Sequence, residues 1–412
     1  MRILHTSDWH LGLELGGHDR LDEQKRFLSW LMDLCVERRI HALLVCGDVY
    51  DVANPSVAAQ AAFAEFLAGF HRRLPNSDLV IVAGNHDSAS RLELPRAFGE
   101  VLGGVHLRGV VSDSVQDRIV PLRGEDGSTG AWCVALPFLR AGDLDCRLEG
   151  EETPQEAYVR AVASLYRDAR ESIPEGQKHL PLVAMGHLTL AGSLRAGSER
   201  ILIGGVESVP VQALSEGCQY VALGHIHRAQ TVGTESVRYC GSPYPVDFDE
   251  HRYRHVVLEV ELEPGSAPSV HSIEVPEFVK FLRFTDPPVA WDGVEKDVEA
   301  FDWSVFQGLE RSLQPLVELR YDGSIPVSEL RSRCEALCAG KPLRLVSAPK
   351  AVMGRESSST TPPIAASLRE RETPEALLGR HWKSKFDAQV PDALLTRFRM
   401  AVDEIAIEGK VP

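Results

Sequence analysis

Over roughly the first 260 residues, short apolar runs alternate with longer stretches in which apolar residues recur every three or four positions. That alternation predicts an α/β layered domain. Five runs, at residues 2–6, 42–46, 79–83, 182–185 and 220–223, are too short for an average helix and read as buried strands. Residues 21–39 carry Phe27, Leu28, Leu31, Leu34 and Cys35 at helical spacing, with Asp22 and Glu23 at the start and Arg38 and Arg39 at the end, as the helix dipole favours. A second helix is expected at 56–74, with Ser56 as N-cap and Phe63, Phe66, Leu67 and Phe70 on one face. Such faces serve either a core or a dimer interface, and the pattern alone leaves both open.

Beyond them, residues 277–350 predict a second, smaller α/β unit. Its strands fall at 278–284, 316–321 and 343–347 and its helix at 327–339, with a break at Asp286-Pro287-Pro288. A polar tract at 356–363 reads as linker. Two amphipathic helices, about 374–386 and 391–408, stand apart and suit docking at least as well as core packing. The resulting division is 1–275, 276–350, a linker at 351–373, and a helical segment at 374–412.

Composition narrows the class. A chain of 412 residues, 44% hydrophobic and 25% charged, has ample length for a core and the make-up of an ordinary soluble protein. No apolar run approaches the roughly 20 residues that span a bilayer. Arg2, His5, Asp8 and His10 make the N-terminus unlike a signal peptide, so the expected location is cytoplasmic. The eight cysteines form no CxxC pair and are expected to be core thiols, not a disulfide framework or a zinc module. A formal net charge of −15 argues by itself against a nucleic-acid binder, because phosphate contacts need Lys and Arg. Bound divalent cations, a local basic patch or a partner protein would offset it.

The five apolar runs share a grammar: each ends directly in residues able to ligate a metal. The first leads into Asp8 and His10, the second into Asp48, the third into Asn85, the fourth into His187, and the fifth into His225 and His227. Functional groups gather at the carboxyl ends of strands in α/β sheets. In extended backbone, residues i and i+2 point the same way, so Asp8 with His10, and His225 with His227, are expected to reach one site. Gly47, Gly84, Gly186 and Gly224 stand before four of the first ligands, where they permit sharp turns and close backbone approach.

Seven ligands exceed the need of one ion, which predicts two ions bridged by a carboxylate, with Asp48 as the bridge. Imidazoles mixed with carboxylates and an amide favour Mn²⁺, with Fe²⁺ as competitor and Mg²⁺ less suited to the nitrogen ligands. His86, beside Asn85, is a candidate general acid for the leaving oxygen, and Asp51 a candidate to orient its ring.

These blocks, DxH, GDxxD, GNHD, GH and GHxH in order, closely resemble the calcineurin-type metallophosphoesterase superfamily. The opening Met1–Gly12 segment, Tyr220–Gln230, Arg238–Pro243 and Ala135–Arg140 further resemble the nuclease-subunit family of bacterial SbcCD-type repair complexes. The resemblance implies a β-sandwich flanked by helices, a small α/β capping domain that contacts DNA, and C-terminal helices that dock on an SbcC-type SMC-like ATPase. It implies one ion on Asp8, His10, Asp48 and His227, and the other on Asp48, Asn85, His187 and His225, with His86 catalytic and Asp51 beside it. The implied activity is hydrolysis of DNA by a metal-activated water: double-strand 3′–5′ exonuclease and single-strand or hairpin endonuclease, from a homodimer within a heterotetramer. The chain has no GxxxxGK[ST] loop, so any ATP requirement falls to the partner.

Three other readings compete. Protein phosphatases of the superfamily follow the GDxxD block with Arg-Gly, whereas Val52-Ala53 stand here. A small-substrate phosphodiesterase has no evident use for the second unit or the C-terminal helices. A non-catalytic scaffold on the same fold is expected to have lost ligands, and none is lost.

Overall fold

The computed structural model describes residues 1–96, 99, 103–194 and 208–347, all within one compact unit, Met1–Val352. The expected linker at 351–373 and the helical segment at 374–412 lie outside the described residues.

Two six-stranded sheets stack face to face. The first runs, in spatial order, β14 (Ser269–Glu274), β13 (Val256–Glu261), β1 (Arg2–Thr6), β4 (Ala42–Cys46), β5 (Asp78–Val82) and β6 (Val105–Arg108). The second runs β11 (Gln230–Val232), β12 (Thr234–Tyr239), β10 (Tyr220–Gly224), β9 (Leu182–His187), β8 (Thr129–Ala135) and β7 (Ile119–Arg123). Between them lies a core of mostly β-branched and small residues, among them Ile3, Leu44, Val80, Val82, Val120, Val183, Met185, Ala222 and Val260. Two helices, α1 (Leu21–Glu37) and α2 (Val57–Arg73), cover the outer face of the first sheet, burying Phe27, Leu31, Phe63, Phe66 and Phe70 there. A third, α3 (Pro154–Glu171), covers the second sheet through Tyr158, Val162 and Tyr166. The apolar faces of α1 and α2 are thus occupied by the chain's own core.

Ser56 caps α2 by accepting from Ala59 N at 3.2 Å. Helix α1 stops at Glu37, two residues short of expectation, because Arg39 turns into left-handed backbone at φ 50°. Of the eight cysteines, Cys35, Cys46, Cys133, Cys240 and Cys334 are buried thiols within the cores.

A three-stranded parallel sheet, β15 (Phe281–Val289), β16 (Leu316–Tyr321) and β17 (Arg344–Ser347), carries α4 (Trp291–Ala300) and α5 (Val327–Cys338) around its own core of Phe284, Trp291, Trp303 and Tyr321. The break expected at Asp286-Pro287-Pro288 is a slip within β15, whose register against β16 jumps between Phe284 and Val289. The prolines are tolerated because β15 is an edge strand, where a missing N–H costs no ladder bond. A two-stranded hairpin, β2 (Glu14–Leu15) and β3 (His18–Asp19), reaches this sheet: His18 Nε2 lies 2.8 Å from Leu345 O, and Arg344 Nη1 donates to Asp19 O at 3.1 Å.

Candidate metal centre

Strands β1, β4 and β5 run parallel, as do β9 and β10 in the facing sheet, so five carboxyl ends open at one edge of the sandwich. Strand pairing continues past the strands into the loops: Asp8 N donates to Gly47 O at 3.0 Å and His10 N to Asp48 O at 2.9 Å. The two sheets are joined there by His225 N, which donates to Asp8 Oδ1 at 3.1 Å.

The loops are turned, not extended as the i, i+2 argument assumed. Asp8, His10, Asp48 and His225 have φ of 54°, 44°, 49° and 93°, a region costly for side chains other than Gly and tolerated where surroundings over-determine it. What keeps each pair on one side is the residue between. Trp9 is fully buried, its ring edge-on to Phe27 and Phe66 and its Nε1 donating to Thr6 Oγ1 at 3.0 Å. Tyr244 closes the same turn by donating to Trp9 O. Ile226 is likewise fully buried between His225 and His227.

The preceding glycines answer to space. A Cβ on Gly47 would lie 2.2 Å from His187 Nδ1, one on Gly84 2.1 Å from Asp48 Oδ1, and one on Gly224 1.8 Å from Cys46 O. At Gly186 it would meet the Tyr166 hydroxyl at 2.5 Å.

All seven candidate ligands converge. His10 Nε2 and His227 Nε2 face each other at 3.3 Å. His187 Nε2 and His225 Nδ1 both lie 3.0 Å from Asn85 Oδ1. Asp48 Oδ2 stands between the two groups, 3.3 Å from His187 Nε2 and 3.8 Å from His10 Nε2. Donor atoms of Asp8, His10 and His227, and again of Asp8, Asp48 and His187, come within 4.8 Å of one another.

The far nitrogens of these rings are fixed by oxygen acceptors. Nδ1 of His10 faces Asp51 Oδ1 at 3.2 Å, Nδ1 of His227 faces Glu250 Oε1 at 2.8 Å, and Nδ1 of His187 faces Cys46 O at 2.9 Å. An acceptor there places the proton on Nδ1 and the lone pair on Nε2. Two imidazole lone pairs meeting at 3.3 Å repel unless a cation or a proton lies between them, so the donor set fits a divalent metal pair. At His187, whose Nε2 faces Asp48, two effects oppose each other. Burial lowers its pKa, but the Asp48 carboxylate outweighs burial and lifts it to about 9. Burial would likewise raise Asp48, yet His187, His10 and His86 prevail and hold its carboxyl well below the usual range.

His86 packs edge-on to His10 at 4.8 Å, its N–H donates to Asp48 Oδ1 at 2.8 Å, and its Nδ1 lies 2.6 Å from the main-chain oxygen of Asp51. Asp51 therefore touches both rings, His86 through its carbonyl and His10 through its carboxylate. Asp48, His10 and His86 are also close enough to hold an ion among themselves.

Two carboxylates were given no role by the sequence reading, Asp87 within the GNHD block and Glu250 outside every block. Glu250, fully buried, orients His227 and accepts from Val246 N at 2.8 Å. Asp87 accepts from Val49, Tyr50 and Gly84 N–H groups at 3.1, 2.9 and 2.8 Å, tying the Asp48 loop to the Asn85 loop. The adjacency of Asp87 to His86 was a usable signal; Glu250 had none.

Comparison with known proteins agrees with this geometry. Residues 1–229 match the family model of the calcineurin-like phosphoesterases. The chain is 38% identical over 389 residues to SbcD, the nuclease of the SbcCD complex, from Rhodobacter capsulatus, covering 92% of this chain and 93% of that one. It is 36% identical to the SbcD nuclease of Escherichia coli K12 (81% and 85% covered) and 30% identical to that of Bacillus subtilis (80% and 82% covered). With those blocks intact and their side chains gathered at one sandwich edge, the chain belongs to the calcineurin-like phosphoesterases and, within them, to the SbcD nucleases of SbcCD complexes.

Proposed function

We propose that the chain is the metal-dependent DNA nuclease subunit of an SbcCD-type complex, hydrolysing phosphodiester bonds at the cluster of Asp8, His10, Asp48, Asn85, His187, His225 and His227. The observation that carries this reading is the convergence of imidazole lone pairs, with their far nitrogens pinned, around one buried carboxylate. Two divalent ions held there, Mn²⁺ by the nitrogen-rich donor set, would polarise the phosphate and activate water. Asp48 bridges the two ligand groups. Asp51 and Glu250 fix the tautomers of His10 and His227. His86, as an imidazolium with its Nδ1–H held on Asp51 O, would present Nε2–H to protonate the leaving oxygen and be left neutral.

The small unit around β15–β17 is read as a cap contacting DNA, and residues 374–412 as the dock for an SbcC-type ATPase. Because the apolar faces of α1 and α2 are already buried, a homodimer through these helices would use their outward sides, such as the cleft lined by Lys25, Ser29, Glu65 and Arg72.

The purified chain, given hairpin DNA or bis-p-nitrophenyl phosphate, is expected to cut both with Mn²⁺ and to lose both activities on chelation. His86→Ala is expected to abolish cutting while two Mn²⁺ remain bound; loss of metal would make His86 a ligand instead. Deleting residues 374–412 should leave metal-dependent cutting but end stimulation by the ATPase and ATP, and stimulation that persists would place the dock elsewhere.

A further inference from the structure

Two arginines flank the metal centre without a carboxylate partner among the described residues, and each is laid over an aromatic ring. Arg228 directly follows His227, is exposed, and holds its guanidinium carbon 5.8 Å from the centre of the Tyr253 ring. Arg140, also exposed, stands 5.5 Å from the centre of the Phe138 ring. Phe138 in turn packs against the opposite group of ligands, 6.1 Å from the His187 ring and 6.4 Å from the His225 ring. One cation therefore belongs to the His10–His227 end of the centre and the other to the His187–His225 end.

Arg228 also lines a cleft of about 410 Å³ together with Ala229, Arg252, Tyr253 and Arg254. Arg252 and Arg254 pair with Asp286 at 3.0 Å and Glu274 at 2.7 Å, but these arginine side chains are 69% and 73% exposed, and such pairs give way readily to a competing anion. In a chain of net charge −15, three arginines around one cleft at the end of a metal-ligand loop make a local reversal of sign. An arginine stacked on a ring keeps its planar fork oriented, which suits a phosphate; the half-buried Tyr253 ring also suits a base, whereas the buried Phe138 ring serves only to orient Arg140.

Resting on the nuclease reading above, we propose that Arg228 with Tyr253, and Arg140 with Phe138, are two subsites. Each holds a nucleotide on one side of the cleaved linkage, and the cleft of Arg252 and Arg254 carries the strand onward from Arg228. A small phosphate diester has nothing to place in either subsite, whereas a DNA strand fills both.

The test uses the full chain with Mn²⁺, bis-p-nitrophenyl phosphate, and single-stranded oligonucleotides lengthened one nucleotide at a time on the 5′ or the 3′ side. The wild type should gain in kcat/KM with length on both sides. Arg228→Ala is expected to erase the gain on one side and Arg140→Ala on the other. Each should lower kcat/KM for DNA about tenfold relative to the small diester, mainly through KM, and shrink the salt slope by about one phosphate contact. Arg→Lys variants should recover the salt slope but only part of the KM, since an ammonium lacks the fork. Equal losses on diester and DNA, or unaltered length and salt dependence in both alanine variants, would overturn the subsites and leave the nuclease reading standing. A wild-type chain that cuts the small diester but no DNA of any length would overturn the nuclease reading itself, and the subsites with it.

Discussion

At His227 a single carboxylate decides which nitrogen faces the centre. Glu250 is fully buried, 2.8 Å from Nδ1, and carries no ligand motif of its own. Outer partners of this kind typically govern metal affinity by about 10–100-fold. Glu250→Gln, which keeps the shape and removes the charge, is therefore expected to weaken Mn²⁺ binding about tenfold in a calorimetric titration. Undiminished affinity would reduce Glu250 to a packing residue. His5 makes a second residue-scale prediction. It joins the two sheets through Tyr220 Oη at 2.9 Å and Leu223 O at 3.2 Å, and burial pulls its pKa down to about 3 from 6.5. Below pH 6.5 the unfolded imidazole binds a proton that the folded one refuses, so acidification from 6.5 toward 3 erodes stability, by about 1.4 kcal/mol per pH unit. In urea unfolding at pH 7 and pH 5, His5→Gln should shrink the stability difference between the two by about 2 kcal/mol relative to wild type; an unaltered difference would mean that His5 titrates alike in both states. The candidate ligands were legible because each closely follows an apolar run. Glu250 and the arginine–aromatic pairs were not, because the residues that give them meaning are distant in sequence.

The elements most open to prediction were those with strong periodicity. Strands β1 and β4 fall where the apolar runs begin and end, and α1 and α2 differ from expectation by one or two residues at their ends. The β2–β3 hairpin was invisible, since strands of two residues such as Glu14–Leu15 and His18–Asp19 are too short and polar for any pattern. It is nevertheless one of the contacts between the metal-bearing end of the sandwich and the small parallel sheet. Gly16 sits at its tip with φ 59°, where a Cβ would lie 2.7 Å from Val346 O. Gly16→Val should thus cost about 1–3 kcal/mol by strain and overpacking. Thermal unfolding checks it, and Gly17→Ala, whose Cβ meets nothing within 4 Å, isolates the backbone share of that cost.

For the whole molecule, the local pattern pointed to alternating strands and helices, while the stacking of two sheets was legible only through the family resemblance, which implied a β-sandwich flanked by helices. That depends on pairings such as β1 with β13, some 250 residues apart, which no local pattern encodes. Asp8, His10, Asp48 and Asn85 leave one sheet, while His187, His225 and His227 leave the other. Metal that binds only this folded arrangement stabilises it by mass action, about 4 kcal/mol at a thousandfold excess over Kd. Mn²⁺ is accordingly expected to raise the melting temperature and EDTA to lower it, and an unchanged transition would mean that the metals bind the unfolded chain equally well.

The same division between sheets sets an order in time. During synthesis the chain emerges with Asp8 and His10 first, but β10 and its two histidines follow more than two hundred residues later. On the proposed assignment, a nascent chain in which β10 has not yet paired with β9 holds an incomplete ligand set and would not hydrolyse DNA. With the proposed centre spread across a sandwich, activity is expected only after the last ligand strand has been made and paired.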